Sequence, residues 1–155
     1  MSQKIAFAVC LLALCPFIAF ATEGIRECPG FPMPHFVNIS ECAKAPCPLY
    51  RGKDVVTISG FTSNEYAETL KTRAHFREIE SGIAAEFPLP ADRSNTCDWL
   101  ISTTCPVYPT EDVTYKFVMP VLSIYPKKME LDLKITVENE NKEILSCFQV
   151  EGTTV

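Results

Sequence analysis

Histidine, tryptophan and glycine are scarce in this chain of 155 residues, which holds 2 His, 1 Trp and 6 Gly. Two histidines leave little material for a His-rich metal site or for His-based catalysis. The sequence has no P-loop, dinucleotide-binding fingerprint, EF-hand loop, zincin motif or G-x-S-x-G elbow. Positive charge is also short: 14 Lys+Arg against 19 Asp+Glu give a net charge of −5. That balance speaks against a nucleic-acid binder held by phosphates and against a polybasic membrane anchor. What is present is apolar. At 47% hydrophobic and 21% charged residues, the chain can fill a core, so wholesale disorder is excluded.

One long hydrophobic run stands out. Lys4 is the only charge before Glu23, and Ile5 to Phe20 between them includes Leu11, Leu12 and Leu14. The run closes on Ala19-Phe20-Ala21, the small-x-small pattern that signal peptidase accepts. The expected reading is a secretory signal peptide over residues 1–21, cut after Ala21. A transmembrane anchor is the rival. The run is short for a crossing of roughly 20 apolar residues, and Pro16 interrupts it. No second run of comparable length follows. Residues 22–155 are therefore expected to be one soluble, secreted domain.

Of the 8 cysteines, Cys10 and Cys15 leave with the leader. Cys28, Cys42, Cys47, Cys97, Cys105 and Cys147 remain, and an even count in a secreted domain reads as three disulfides. Spacing only biases the pairing. Cys42 with Cys47, and Cys97 with Cys105, close tight loops, which would leave Cys28 and Cys147 to join the two ends. In the chain-entropy model such an end-to-end bridge contributes ~5 kcal/mol. A zinc site is the alternative use, but the secretory context and the lack of CxxC or nearby His argue against it. Asn38-Ile39-Ser40 is an N-glycosylation sequon, which makes Asn38 a candidate glycan site.

The clearest local pattern runs from Met129 to Val137. Met129, Leu131, Leu133, Ile135 and Val137 alternate with Glu130, Asp132, Lys134 and Thr136, as in a strand with one buried face. The polar residues 138–142 then turn the chain into Ile144 to Val150, giving a hairpin. Val113, Tyr115, Phe117 and Met119 share one face of a further strand, and Val55 to Phe61 is a fourth. Asn64 to Glu80 is ambiguous. Its composition and the spacing of Tyr66, Leu70 and Ala74 suit a helix, yet Ala74 and Phe76 also fit one strand face with Glu78 outside. Short strands with dense turn signals elsewhere favour an all-β sandwich, with this segment the weakest assignment.

Catalytic chemistry finds little support. His35 reads as a loop histidine and His75 as a strand histidine. The six cysteines are committed to bridges, which leaves no thiolate nucleophile. Glu111-Asp112 and Glu138/Glu140 fall in expected turns, where carboxylates are usually just solvated. No cofactor is expected, and the chain does not read as an enzyme. Two segments join bulky hydrophobes to proline: Phe87-Pro88-Leu89-Pro90, and Met119-Pro120 running on to Tyr125-Pro126. Prolines flanking strands interrupt ladder pairing, so a sandwich loosened there can keep an apolar cavity between its sheets. On composition alone, edge prolines over a closed core are the simpler reading.

A family resemblance reverses that preference. It rests on Cys28, on Asn38-Ile39-Ser40-Glu41-Cys42 with Cys47, on Phe87-Pro88-Leu89-Pro90, on Cys97 and Cys105-Pro106, on Val121-Leu122-Ser123-Ile124-Tyr125-Pro126, and on Cys147. In this order the residues resemble the secreted sterol-transfer proteins of the Niemann-Pick type C-two kind. These sit in the ML (lipid-recognition) domain family with mite group-two allergens and the myeloid-differentiation co-receptor. The resemblance covers about Cys28 to Val150. It implies an immunoglobulin-like β-sandwich of two antiparallel sheets with an apolar cavity between them. It implies bridges Cys28–Cys147, Cys42–Cys47 and Cys97–Cys105, and it implies Phe87, Val121, Tyr125 and Pro126 as residues lining a ligand pocket.

The implied function is non-enzymatic carriage of a sterol, a fatty acid or another small hydrophobic ligand. The implied unit is a monomer, outside the cell or in the lysosomal lumen, whose membrane or receptor contacts are transient. The alternative is a lipid-dependent accessory module for a receptor. There are departures. Glu80 and Glu86 stand where relatives often carry Val, Ile and Pro, and the Cys97–Cys105 loop, which holds Trp99, is longer than in vertebrate sterol carriers. These features are closer to arthropod relatives that carry fatty acids or odorants. The ligand's polar end is expected near the mouth, with Tyr125 at the boundary. Lys127 and Lys128 behind it face either an anionic group or plain solvent.

Overall fold

The computed structural model describes residues 21–155, so the expected leader lies outside the described residues except for Ala21. The chain forms β1 (Arg26–Glu27), β2 (Phe36–Ile39), β3 (Cys47–Leu49), β4 (Asp54–Thr62), β5 (Leu70–Glu78), β6 (Ala84–Phe87), β7 (Asp112–Pro120), β8 (Glu130–Asn139) and β9 (Ile144–Thr154). A one-turn helix α1 (Ala91–Ser94) and a 3-10 turn (Thr96–Trp99) lie between β6 and β7.

The fold is an all-β sandwich, as the sequence implies. One sheet runs β1-β9-β8-β5-β6, with β3 beside β9, and the other runs β2-β4-β7. The ladders are antiparallel except that β3 runs parallel to β9. Period two sets which residues meet in the middle. On β8, Leu131, Leu133, Ile135 and Val137 are buried, and on β7, Val113, Tyr115, Phe117 and Met119 face them. The expected β8–β9 hairpin forms, with a register shift between Val137 and Glu138.

The ambiguous segment is a strand where it matters. Leu70 to Glu78 pairs with β8 along its whole length and with β6 on its other side. Leu70, Thr72 and Ala74 are buried, while Lys71 and Arg77 are exposed. Helix-friendly composition yields here because a central strand buries its apolar face and shares its backbone bonds with two neighbours. Glu138 also departs from expectation. It is buried near the end of β8 and its carboxylate accepts from Arg73 Nε at 2.6 Å.

The bridges are Cys28–Cys147, Cys42–Cys47 and Cys97–Cys105, with Cα separations of 5.8, 5.2 and 5.6 Å. They are the pairs that the resemblance implies. One end of the sandwich is solid. Phe61 and Tyr115 meet edge-to-face at 6.1 Å there. The Cys97–Cys105 loop folds over it, with Leu70 N–H donating to Cys97 Sγ at 3.2 Å and the Thr72 and Thr96 hydroxyls hydrogen-bonded at 2.7 Å. Trp99 holds α1 in place: its Nε1 donates to the Asp92 carbonyl at 2.7 Å, and its ring takes Arg93 and Lys116 at 5.5 and 5.6 Å. The opposite end is built differently.

Candidate functional site

At that second end the prolines stop the strands before the sheets can close. β6 ends at Phe87-Pro88 and β7 ends at Pro120. Between the sheets lies a cavity of about 350 Å³. Phe76 and Phe87 form the wall on the β5–β6 side, Met119 and Val121 the wall on the β7 side, and Leu131 and Leu133 the wall on β8. Leu49 and Thr154 line it from β3 and β9. The Thr154 hydroxyl is already engaged: it donates to the Pro126 carbonyl at 2.6 Å and accepts from Met129 N–H at 2.8 Å. The surface offered to a ligand is therefore greasy, which is the usual composition of a small-molecule pocket.

The segment after β7 is clamped. Val121 N–H donates to the Lys53 carbonyl at 2.9 Å, and Gly52 N–H donates to the Val121 carbonyl at 2.6 Å. Arg51 Nη1 donates to the carbonyls of Ser123 and Tyr125 at 3.3 and 3.0 Å. This fixes Tyr125 beside the cavity, where its half-buried ring meets Phe87 edge-to-face at 6.3 Å. Burial pushes the Tyr125 phenol above its ordinary value, so it stays neutral and can donate or accept.

The structure thus brings together three of the four residues singled out in the sequence: Phe87, Val121 and Tyr125 line one cavity, from more than one side. Pro126 lies outside it and lines the neighbouring pocket. Leu49, Phe76, Met119, Leu131 and Leu133 line the cavity without having been singled out. For the last two, alternation along β8 reveals an inward face but not whether that face meets other side chains or a void. Behind them is a second void of about 20 Å³, bounded by Phe117, Ile135 and Phe148, and walled from the main cavity by Leu49, Met119 and Leu133.

Of the remaining residues, Glu86 also borders the cavity and the others sit elsewhere. Asn38 is half-exposed on β2, between the buried Val37 and Ile39, so it points to the outer face. His35 is in a loop, its Nε2 bonded to the Thr62 hydroxyl at 2.7 Å, and His75 is on β5. Glu86 sits on β6 with its carboxylate 2.7 Å from Arg73 Nη1, an outward ion pair that holds its pKa below the usual carboxylate range. Glu111 and Glu140, also assigned to solvated turns, accept backbone bonds: Glu111 from Tyr108 at 2.9 Å, and Glu140 from Glu68 and Thr69 at 3.1 and 3.2 Å.

The family model described as ML domain matches residues 24–153. NPC intracellular cholesterol transporter 2 of Bos taurus is 33% identical over 117 residues, covering 74% of this chain and 72% of the relative. The Mus musculus protein of the same name is 28% identical over 114 residues, again covering 74% of this chain and 72% of the relative. The crystal structure of a Niemann-Pick type C2 protein from the Japanese carpenter ant superposes with a TM-score of 0.70 at 19% identity. It covers 84% of this chain and 98% of that one, a likeness of fold. Sequence match, bridge pattern and sandwich agree: the chain belongs to the ML-domain family.

Proposed function

We propose that this protein is a secreted, non-enzymatic carrier that buries one small hydrophobic ligand between its sheets and releases it again. In this reading the leader is removed after Ala21, and Asn38, on the outer face, carries a glycan clear of the cavity. The ligand is a sterol, a fatty acid or a semiochemical-like lipid. The observation that carries the reading is the apolar cavity of about 350 Å³ at the end where the prolines hold the sheets open. The cholesterol-transporter relatives support it.

The magnitudes suit reversible binding. A methylene fills about the volume of a water molecule, ~30 Å³, so the cavity takes about a dozen. At ~0.8 kcal/mol each, their transfer from water gives roughly 10 kcal/mol. Association takes back at least ~4 kcal/mol. About 6 kcal/mol remains, a dissociation constant in the tens of micromolar. The inner void past Met119, about 20 Å³, has room for one further methylene at most, worth up to ~0.8 kcal/mol or about fourfold in affinity. Phe87, Val121 and Tyr125 contact the ligand from the cavity's sides, and Tyr125 and Pro126 stand at the mouth. No step needs a nucleophile or a metal.

Mass spectrometry of an organic extract from the natively purified protein tests this directly. The expected result is a lipid in near-stoichiometric amount. Absence of any lipid, together with failure to take up a fluorescent fatty acid or sterol, refutes it.

A further inference from the structure

A polar pocket of about 450 Å³ adjoins the apolar cavity, and Met129 lines both. Its charged residues are Glu78, Glu80 and Glu130 on one hand, and Lys127 and Lys128 on the other. Among the described residues no ion pair joins either lysine to these carboxylates. Opposite charges thus share one concavity without neutralising each other. The backbone around them is held from several sides. Ile79 N–H donates to the Glu130 carbonyl at 2.9 Å, Glu78 N–H to Ile83 at 2.8 Å, and Lys128 N–H to Thr154 at 2.8 Å. Lys128 sits at φ 60°, a left-handed conformation that non-glycine residues rarely adopt, and the Thr154 bond holds it there.

We propose, resting on the carrier reading, that this pocket is the head-group site and that the preferred cargo is a single-chain zwitterionic amphiphile. Such a molecule carries an anionic group and an ammonium on one head, as in the lysophosphatidylcholine class. A plain carboxylate head meets two lysines but also three glutamates, and a plain cation meets the reverse. A zwitterion presents each charge to its opposite. Its anionic group faces Lys127 and Lys128, and its ammonium faces Glu78, Glu80 and Glu130. The single tail follows from the cavity, which holds about a dozen methylenes. Pro126, beside the lysines, then touches the head rather than the tail.

The test is displacement of a fluorescent fatty-acid probe by four tetradecyl compounds below their micelle concentrations: the phosphocholine, the carboxylate, the trimethylammonium and the alcohol. The phosphocholine is expected to displace at a concentration at least about tenfold below those of the singly charged compounds, a difference of 1.4 kcal/mol. The Lys127→Gln/Lys128→Gln variant should cut that advantage below about threefold and leave the alcohol unchanged, and added salt should erode it too. Glu80→Gln/Glu130→Gln should instead improve the carboxylate. All five charged residues sit at the surface or near it, so unchanged thermal melts serve as the folding control. Equal displacement by all four compounds refutes the head-group site while leaving the carrier intact. A carboxylate that wins through the lysines refutes the zwitterion. A bound probe that none of them displaces also refutes the head-group site, whereas a probe that never binds speaks against the carrier reading itself.

Discussion

Phe87→Ala should destabilise the protein much less than Phe61→Ala, although both remove the same side chain. Phe61 is 2% exposed and packs edge-to-face on Tyr115 in the solid end. Truncating such a residue loses its transfer energy and leaves a new hole, about 3–5 kcal/mol. Phe87 is 9% exposed, but one face already borders the cavity. Its removal enlarges an existing void and forfeits contacts on the other face, including an aromatic pair with Tyr125 worth ~0.5–1.5 kcal/mol. The expected loss is about 1–2 kcal/mol. Urea unfolding of delipidated protein measures both, provided the slope with denaturant is the same in each variant. Ligand at a hundredfold excess over its dissociation constant should stabilise the wild type by about 2.7 kcal/mol and Phe61→Ala by a similar increment. Phe87→Ala should gain at least 1 kcal/mol less, reporting about fivefold weaker binding. Equal losses for the two variants, with equal rescue by ligand, would mean that Phe87 packs in ordinary core and that the cavity argument is wrong.

Three further outcomes follow from the same geometry. Gly152 has no side chain where a Cβ would stand 2.8 Å from Leu49 Cδ1, so Gly152→Ala should push Leu49 into the cavity it lines. Ligand affinity should fall severalfold while stability changes by less than ~1.5 kcal/mol, and unchanged affinity would refute the displacement. Replacing Cys28 and Cys147 by Ala opens a loop of 119 residues and should destabilise by ~5 kcal/mol, against ~2 kcal/mol for the Cys42–Cys47 pair with a separation of 5, both read from urea midpoints. The Glu86 pKa is held down by Arg73, the Glu111 pKa by the Thr103 hydroxyl and the Tyr108 amide, and the Glu140 pKa by its own amide and those of Thr69 and Glu68. Folded values below the unfolded ones give stability that is complete above about pH 5 and lost as pH falls below ~4. The melting temperature should drop over that window, and a triple Gln variant should flatten the slope; an unchanged slope would place the acid sensitivity elsewhere.

The fold was legible where burial has a period. On β8 and β7 the alternation marked the inward residues one by one, because a half-buried strand leaves that trace in sequence. On β5 the trace was masked. Arg73 and Arg77 face outward among helix-forming residues, and only the ladders to β8 and β6 decide the matter. The cavity was legible in its prolines and aromatics. Phe87, Val121 and Tyr125 lie within two proline-rich segments, and such segments mark where strands stop. Leu131 and Leu133 were not separable from core because hydrophobicity is the same whether a side chain faces a neighbour or a void. Glu138 was misplaced for a related reason. Its partner is Arg73, far along the chain on β5, and residue type alone does not reveal that a carboxylate accepts from it.

A hollow of this size has an energetic consequence that binds stability to function. At ~24 cal/mol per Å³, leaving about 350 Å³ unfilled costs at most roughly 8 kcal/mol against a filled core. That is close to the roughly 10 kcal/mol that a dozen buried methylenes supply, so the ligand completes the interior that the sequence leaves unfilled. Without ligand the deficit must be offset elsewhere. In the chain-entropy model the three bridges, closing separations of 119, 5 and 8 residues, supply about 9 kcal/mol together. They act through the unfolded chain and put no atoms in the cavity. Side-chain packing could not serve in the same way, because every added contact between the sheets at this end would shrink the space the ligand needs. Covalent cross-links, strand-ending prolines and the Arg51 clamp therefore belong to one solution: they stabilise the frame while leaving its interior open.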